Sequence, residues 1–580
     1  MRTDTTAAGY ADHSEIDEFE RAIDRWRSGA LTDDEFRAKR LHMGCYGIRQ
    51  SDTHMVRVKV PGGALLPHHL DAVADIAERY SRGFAHLTTR QNFQVHFVRT
   101  DDVPPLMRRL ADAGLTTREA CGNSVRTVTQ SHLAGIDPTE VVDTRPAVEA
   151  LTRHFLRNPL FQDLPRKFKI AFDGSAHDHA HLGIHDIGFL GLVRNGVPGF
   201  RIFVGGGLGS APREADLLEP FTPASRLLST AEAILTLFAE HGERRNRVRA
   251  RMKFLVAKWG IEKFRTEVAA TRERLEAART YPPVLLPAAR HAVVDAPLPD
   301  PTPDLRPDEV DGFRRWRDAN AFAHPGDDAV PRFAAYVTFH LGDVTSQQLR
   351  ALAKAWREFG DAVEVRVTIR QNLLVTNLTA PQLSALYATL RAEGMDLARA
   401  EKSGDIVSCP GAETCNLAIT ASRGLADAVT DALTGAGLHE IEDLRINISG
   451  CPNACGQHTT ADIGFSGMAR RDAEGNEAPG YRVYVGARIG EGGAKFGHYV
   501  VKVPARKAPD VAVELLGRYA AERAHGERFP DWVARVTPAA LKDGLGVHDA
   551  MPALADDPGF YADWGMTKPF AVILGRGECA

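Results

Sequence analysis

The sequence predicts an α+β fold built by internal duplication of the chain. Three observations carry that prediction: two repeats that recur in the same order, strand and helix patterns that alternate around them, and four clustered cysteines confined to the second copy. The first repeat sets HLTTRQNFQVHFV from His86 against VRVTIRQNLLVTNL from Val365, with Arg-Gln-Asn at 90–92 and at 370–372. The second sets HDIGFLGLVRNGVPGFRIFVGGGLG from His185 against ADIGFSGMARRDAEGNEAPGYRVYVGARIG from Ala461, with Asp-Ile-Gly-Phe at 186 and at 462. The offsets, 280 and 276 residues, are nearly equal, so the order is A-B-A′-B′ with pseudo-twofold character.

Residues 1–50 read as a helical, charged lead-in. Residues 51–120 form the first ferredoxin-like half: helical spacings in LDAVADIAERY and VPPLMRRLADAGL flank the repeat, giving strand–helix–strand–helix. Residues 121–280 form a mixed α/β domain. There, two β-rich runs around a Gly/Asn/Pro turn read as a hairpin, and a helical segment near 224–278 closes the unit. The Pro-rich stretch 281–307 opens a linker that runs to 330. Residues 331–400 repeat the ferredoxin-like half with LRALAKAWREF and LSALYATLRAEGM, and 401–550 repeat the mixed domain. The tail, 551–580, is rich in Gly and Pro and is expected to pack over the surface.

A chain of 580 residues exceeds one hydrophobic core, which fits several domains. Its net charge of −4 points to neither nucleic acid nor an anionic membrane as partner. No apolar run reaches the length of a membrane span. The N-terminus carries acids where an export signal needs apolar residues, so a cytoplasmic location is expected.

Of seven cysteines, Cys45, Cys121 and Cys579 are scattered, whereas Cys409-x5-Cys415 and Cys451-x3-Cys455 lie within 47 residues. Clustered thiols in a reducing compartment read as metal or cluster ligands. The five-residue gap is wider than zinc pairs use, and four thiolates approaching from separate loops suit a [4Fe–4S] cube. Pro410 and Pro452 fix φ after the first and third cysteines, and Gly411, Gly450 and Gly456 let backbone approach closely.

With CPGAETC, SGCPNACG and a duplicated chain, the sequence resembles the sirohaem-containing sulfite and nitrite reductases from about residue 40 to about 550. The resemblance implies sirohaem beside the cluster, with Cys455 also the axial ligand of the sirohaem iron. It implies that Arg57, Arg126, Lys167 and Lys169 hold the substrate anion. Lys167 and Lys169 stand two apart, so in a strand they would share a face, although such a run alone reads as a solvated edge. Arg90 resembles a sirohaem-carboxylate ligand, with Thr88, Thr89, Gln94 and His96 as lesser candidates, whereas its repeat mate Arg370 is expected to be structural.

The run Gly205, Gly206, Gly207 and Gly209 fails the dinucleotide pattern because Ser210 stands where glycine is required; close approach to a flat macrocycle suits it better. Asn453 is equally a macrocycle-facing residue or a plain turn. The string His177, His179, His181 and His185 is expected to be solvated. Tyr46 and Cys121 are expected to approach each other near the substrate pocket, with packed, unlinked side chains as the alternative.

The resemblance implies six-electron reduction of sulfite to sulfide, as in assimilatory enzymes. Relatives that favour nitrite tend to carry asparagine where this chain has Lys169, and the extra cation suits the more highly charged sulfite. Nitrite reduction to ammonia is the alternative, and a non-catalytic iron–sulfur electron carrier a further one. With no flavin or NADPH module in the chain, reduced ferredoxin or a separate flavoprotein is the expected donor, and a monomer the expected state.

Overall fold

The computed structural model describes residues 9–287, 289, 296–301, 305–326, 330–575 and 578. Cys579 and parts of the lead-in and the Pro-rich linker lie outside these residues. Four five-stranded sheets make the framework, two for each half of the duplication.

The first ferredoxin-like sheet runs Cys45–Gly47, Thr53–Val58, Phe93–Arg99, Phe84–Leu87 and then Asp343–Thr345. Its mate runs Ala321–Pro325, Pro331–Val337, Leu373–Leu378, Glu364–Val367 and then Ala64–Leu65. Each half thus lends a short strand to the other's edge: Asp343 pairs with His86, and Leu65 with Val365. The exchange covers edges that would otherwise present unpaired backbone. Helices Pro67–Tyr80 and Ser346–Phe359 pack with both sheets, and one core holds Leu70, Phe93, Leu349, Val365 and Leu373 together.

The repeat segments differ from the expected single strand. Each is a hairpin, Phe84–Leu87 with Phe93–Arg99 and Glu364–Val367 with Leu373–Leu378, because Gln91 and Gln371 turn the chain at φ 56 and 63°. Thr88 Oγ1 accepts from the N–H of Arg90 (3.2 Å) and Asn92 (3.1 Å); Thr368 does the same for Arg370 and Asn372, both at 3.2 Å. The glutamines then cross the pseudo-twofold. Gln91 donates to Val367 O at 2.9 Å and Gln371 to Leu87 O at 3.0 Å.

The two mixed sheets also share one plan. Thr129–Gln130, Ile170–Asp173 and Ile187–Arg194 run parallel, followed antiparallel by Val197–Val204 and Asp216–Pro223. In the second copy the order is Val407–Ser408, Ile446–Ser449, Ile463–Arg471, Glu477–Val485 and His498–Pro504. The expected hairpin is present, turned by Asn195 and Gly196 at φ 51 and 77°, as a tight turn between twisted strands requires. Each mixed sheet has its own core, one rich in phenylalanine (Phe168, Phe172, Phe189, Phe200, Phe238), the other around Phe465, Tyr481 and Trp532. Among the described residues no helix is long and apolar enough to cross a membrane.

Candidate active site

The parallel strands Val407–Ser408 and Ile446–Ser449 end side by side, and each runs into a cysteine loop. The Gly450 N–H donates to Cys409 Sγ at 3.3 Å, and Ser422 Oγ lies 3.3 Å from the same sulfur. Burial, then Cys455, Cys409 and Cys415, pushes the Cys451 thiol far above its ordinary range. Four thiolates this close need cationic iron to stay ionised together, which is the chemistry a [4Fe–4S] cube supplies. Among the described residues no three His, Cys, Asp or Glu side chains converge on a single-ion centre. Gly450 and Gly456 are glycine because a Cβ would meet Thr420 O at 2.6 Å and Ile448 O at 2.2 Å.

Thr89 Oγ1 donates to Cys455 O at 3.0 Å, and the Gln457 amide donates to Thr89 O at 3.3 Å. The turn that carries Arg90 is thereby tied to the cysteine loop of the other half. Around Arg90 the structure gathers cations. Burial, then Arg126, Arg57 and, after Asp186, Arg251, lowers its guanidinium to about 9. Burial, then Arg90, Arg251 and Lys167, holds the Lys169 ammonium well below the usual lysine value, with Asp186 opposing. Thus Arg57, Arg90, Arg126, Lys167 and Lys169, drawn from four separate stretches of sequence, form one electropositive cluster.

Neutral partners, rather than carboxylates, hold most of these cations. Arg126 donates to Ala120 O (2.9 Å), Gly122 O (2.8 Å) and the Tyr46 hydroxyl (2.9 Å). Arg57 donates to Ala120 O at 3.1 Å, and its guanidinium carbon lies 5.5 Å from the Tyr46 ring centre. Gln94 faces Arg57, its oxygen positioned to accept at 2.6 and 3.1 Å, and its amide 3.3 Å from His96. Arg90 donates to Thr127 O at 2.5 Å and to His185 Nε2 at 2.9 Å. The Lys169 ammonium makes no hydrogen bond or ion pair with a described side chain.

Several expectations change. Lys167 and Lys169 precede the strand Ile170–Asp173 and flank Phe168, which bridges to Val125; the buried Phe168 turns inward between them. The histidine string is not uniformly solvated: His185 is buried, His179 and His181 are half-buried, and only His177 is exposed. The reason is positional. Residues 175–181 are the repeat mate of 451–457, with His179 where Cys455 stands, so the string lies at a domain seam. His185 Nδ1 donates to His181 O (2.8 Å), leaving Nε2 to accept from Arg90. The Thr88 hydroxyl is used by its turn, while Asn453 is exposed beside the cluster cysteines.

Gly206 needs no macrocycle to explain it, since a Cβ there would sit 2.4 Å from Gly183 O; at Gly207 it would meet the Arg251 guanidinium at 3.0 Å. Tyr46 and Cys121 lie in one small buried cluster with Ile48 and Met55. Sequence reasoning missed Arg251, Asp186, His185 and Arg49. Asp186 accepts from the Lys169 N–H and from Arg251, both at 2.9 Å. Its place in the repeated Asp-Ile-Gly-Phe motif was the available signal, and the basic run before Lys253 was another.

A polyanionic macrocycle fits these residues. Besides the cation surplus, the buried donors Arg251 Nε and His96 Nδ1 have no hydrogen-bond partner among the described residues. Buried donors left open in this way suit carboxylates of a bound group.

Comparison with known proteins agrees with the geometry. The Nitrite and sulphite reductase 4Fe-4S domain matches residues 121–277 and 400–549, and the Nitrite/Sulfite reductase ferredoxin-like half domain matches 46–113 and 328–393. The sulfite reductase [ferredoxin] of Mycobacterium tuberculosis is 32% identical, over 83% of this chain and 82% of its own. The ferredoxin–nitrite reductase of Synechococcus elongatus is also 32% identical, over 80% of this chain and 85% of its own. The solved structure of the Mycobacterium tuberculosis NirA protein superposes with a TM-score of 0.75 at 28% identity, covering 91% of this chain and 95% of that one.

Proposed function

The chain belongs to the nitrite and sulfite reductase family, whose cofactors are sirohaem and a [4Fe–4S] cluster, and from that premise we propose that it reduces sulfite to sulfide with electrons from reduced ferredoxin. The observation that carries the choice of anion is the Lys169 ammonium, a buried cation beside Arg90, Arg251 and Lys167 that forms no ion pair with a carboxylate among the described residues. Ionised sulfite bears two charges and nitrite one, so an extra cation beside the others favours sulfite.

When bound, the cofactors supply single electrons and a metal coordination site for the anion; Cys409, Cys415, Cys451 and Cys455 would hold the cluster, and Cys455 would link it to the sirohaem iron. The chain's own work is electrostatic. Arg57 and Arg126 present planar donors to the oxyanion, held in place by Tyr46 and the Ala120 and Gly122 carbonyls. Lys169, its ammonium made acidic by burial and neighbouring cations, gives up a proton more readily than an ordinary lysine, and Lys167 adds charge beside it. Arg90, Arg251 and His96 would hold carboxylates of the macrocycle, the last two through donors that have no partner among the described residues.

Nitrite is the second reading, because relatives of nearly equal identity are named for it. Measuring kcat/KM for both anions decides between them. Lys169→Asn should move the sulfite-to-nitrite ratio toward nitrite by about tenfold; an unchanged ratio overturns the role of Lys169. An absorption spectrum with a Soret band and a red chlorin-type band is expected of the purified protein. Cluster absorbance without those bands would instead favour an electron carrier.

A further inference from the structure

We propose that the C-terminal tail is a latch on the anion site, with Glu578 a positioning residue that acts through Arg40 and Gly47 on Tyr46. The Glu578 carboxylate accepts from the Gly47 N–H at 2.6 Å and from Arg40 Nη1 at 2.8 Å, and it also pairs with Nη2. Both side chains are nine-tenths enclosed, Arg40 at 11% and Glu578 at 10% exposure. The residues that lead to it, Ile573 and Leu574, are by contrast exposed. A surface ion pair contributes little and would not hold a tail against its chain entropy, whereas an enclosed, multiply bonded one does.

Arg40 Nη1 donates to Cys45 O as well, at 3.2 Å. One ion pair therefore grips the residues on both sides of Tyr46. Tyr46 in turn accepts from Arg126 at 2.9 Å and lies under Arg57, so its strand sets where two of the anion-binding guanidiniums stand.

The tail has a second seam, on the cluster side. The Gly575 N–H donates to Asn416 O at 3.0 Å, and Arg49 Nη2 donates to Ile573 O at 3.1 Å. Arg49 Nε donates to Cys415 O at 3.0 Å, and Asn416 Nδ2 to Gly47 O at 3.1 Å. Three segments meet here: the Tyr46 strand, the Cys415 loop and the tail. By bonding to the other two, the tail fixes the anion-binding arginines relative to a cluster ligand. The latch rests on Tyr46 facing the cation cluster, and it stands whichever anion is reduced.

The test compares full-length holoenzyme with Glu578→Gln, Glu578→Asp and a chain ending at residue 570. Backbone hydrogen exchange should quicken by on the order of tenfold in segments 45–50 and 413–418 for Glu578→Gln and the shortened chain, and Glu578→Asp should restore much of the protection. The KM for the anion should rise by on the order of tenfold, with kcat and iron, sulfide and sirohaem content nearly unchanged, because the arginines are misplaced rather than lost. Arg40→Gln combined with Glu578→Gln should be no worse than either alone. Unchanged exchange in both segments overturns the latch, and so does a parallel fall of kcat and cofactor content, which marks a merely structural tail. Exchange is read without turnover, so it decides the latch even if the sulfite assignment fails.

Discussion

Arg90 and Arg370 occupy the same position of the same turn, yet their electrostatic surroundings are opposite. Each turn is closed by a threonine hydroxyl and tied across the pseudo-twofold by a glutamine. Around Arg90 stand Arg57, Arg126 and Arg251, and its guanidinium is driven down to about 9 by burial and then by those neighbours. Burial acts on Arg370 too, but Glu401 and Asp405 outweigh it and hold the guanidinium above its usual value. Arg370 donates to Glu401 at 2.7 Å and to Asp405 O at 2.9 Å. The same contrast holds for Lys169 and its mate Arg445. Arg445 bonds Asp462 at 3.1 Å, whereas in the first copy Arg251 takes the equivalent carboxylate and the Lys169 ammonium is left over. Duplication kept the scaffold twice and changed the charges around it, leaving one copy short of anions and the other neutralised.

The sharpest way to break this comparison is at the cysteine loop. Cys455→Ala should abolish activity and acid-labile sulfide, while alanine at its repeat mate His179 should leave iron and sulfide content intact. Loss of the cluster in the His179 variant would mean that the two loops are not independent.

Next come the two arginines. Arg370→Ala should lower unfolding stability by about 3–5 kcal/mol, because it strands the buried Asp405 carboxylate without its cation. In the cofactor-free chain Arg90→Ala should leave stability unchanged or higher, since mutual repulsion is relieved, yet sirohaem content should fall severalfold. Denaturant unfolding and pyridine-extract absorbance measure the two effects, and equal stability losses would contradict the electrostatic difference.

The scaffold should respond alike in both copies. Gln91→Ala and Gln371→Ala each remove a buried bridge across the pseudo-twofold, and each should cost about 1–3 kcal/mol. Losses differing several-fold would show that one half carries the interface.

The smallest effects are in pH dependence. Lys169 has its value lowered in the fold, first by burial, so the native cofactor-free chain binds fewer protons than the unfolded one, and stability should rise with pH toward the unfolded lysine value. His179 is raised: burial opposes, but Asp137 and Asp173 prevail, so its contribution is full below 6.5 and is lost as pH climbs through the folded value. Unfolding free energy against pH should therefore lose its alkaline rise in Lys169→Met and its fall as pH climbs through the folded histidine value in His179→Gln.

The sequence by itself determined what is local or repeated. The spacing of Cys409, Cys415, Cys451 and Cys455 is a property of two short loops, and the duplication is written in two motifs with nearly one offset. Helix and strand patterns followed from apolar spacing, though the turn inside each Arg-Gln-Asn repeat was hidden, because a glutamine at positive φ looks ordinary in sequence. The tertiary structure alone decided which residues meet. His185 and Arg251 reach Arg90 and Asp186 from distant elements, the half-domains exchange edge strands, and a carboxylate at position 578 closes on Gly47. The fate of Arg90 and Arg370 was also decided there: identical local sequence gives an identical turn, but a guanidinium's charge balance depends on carboxylates that only folding brings within reach.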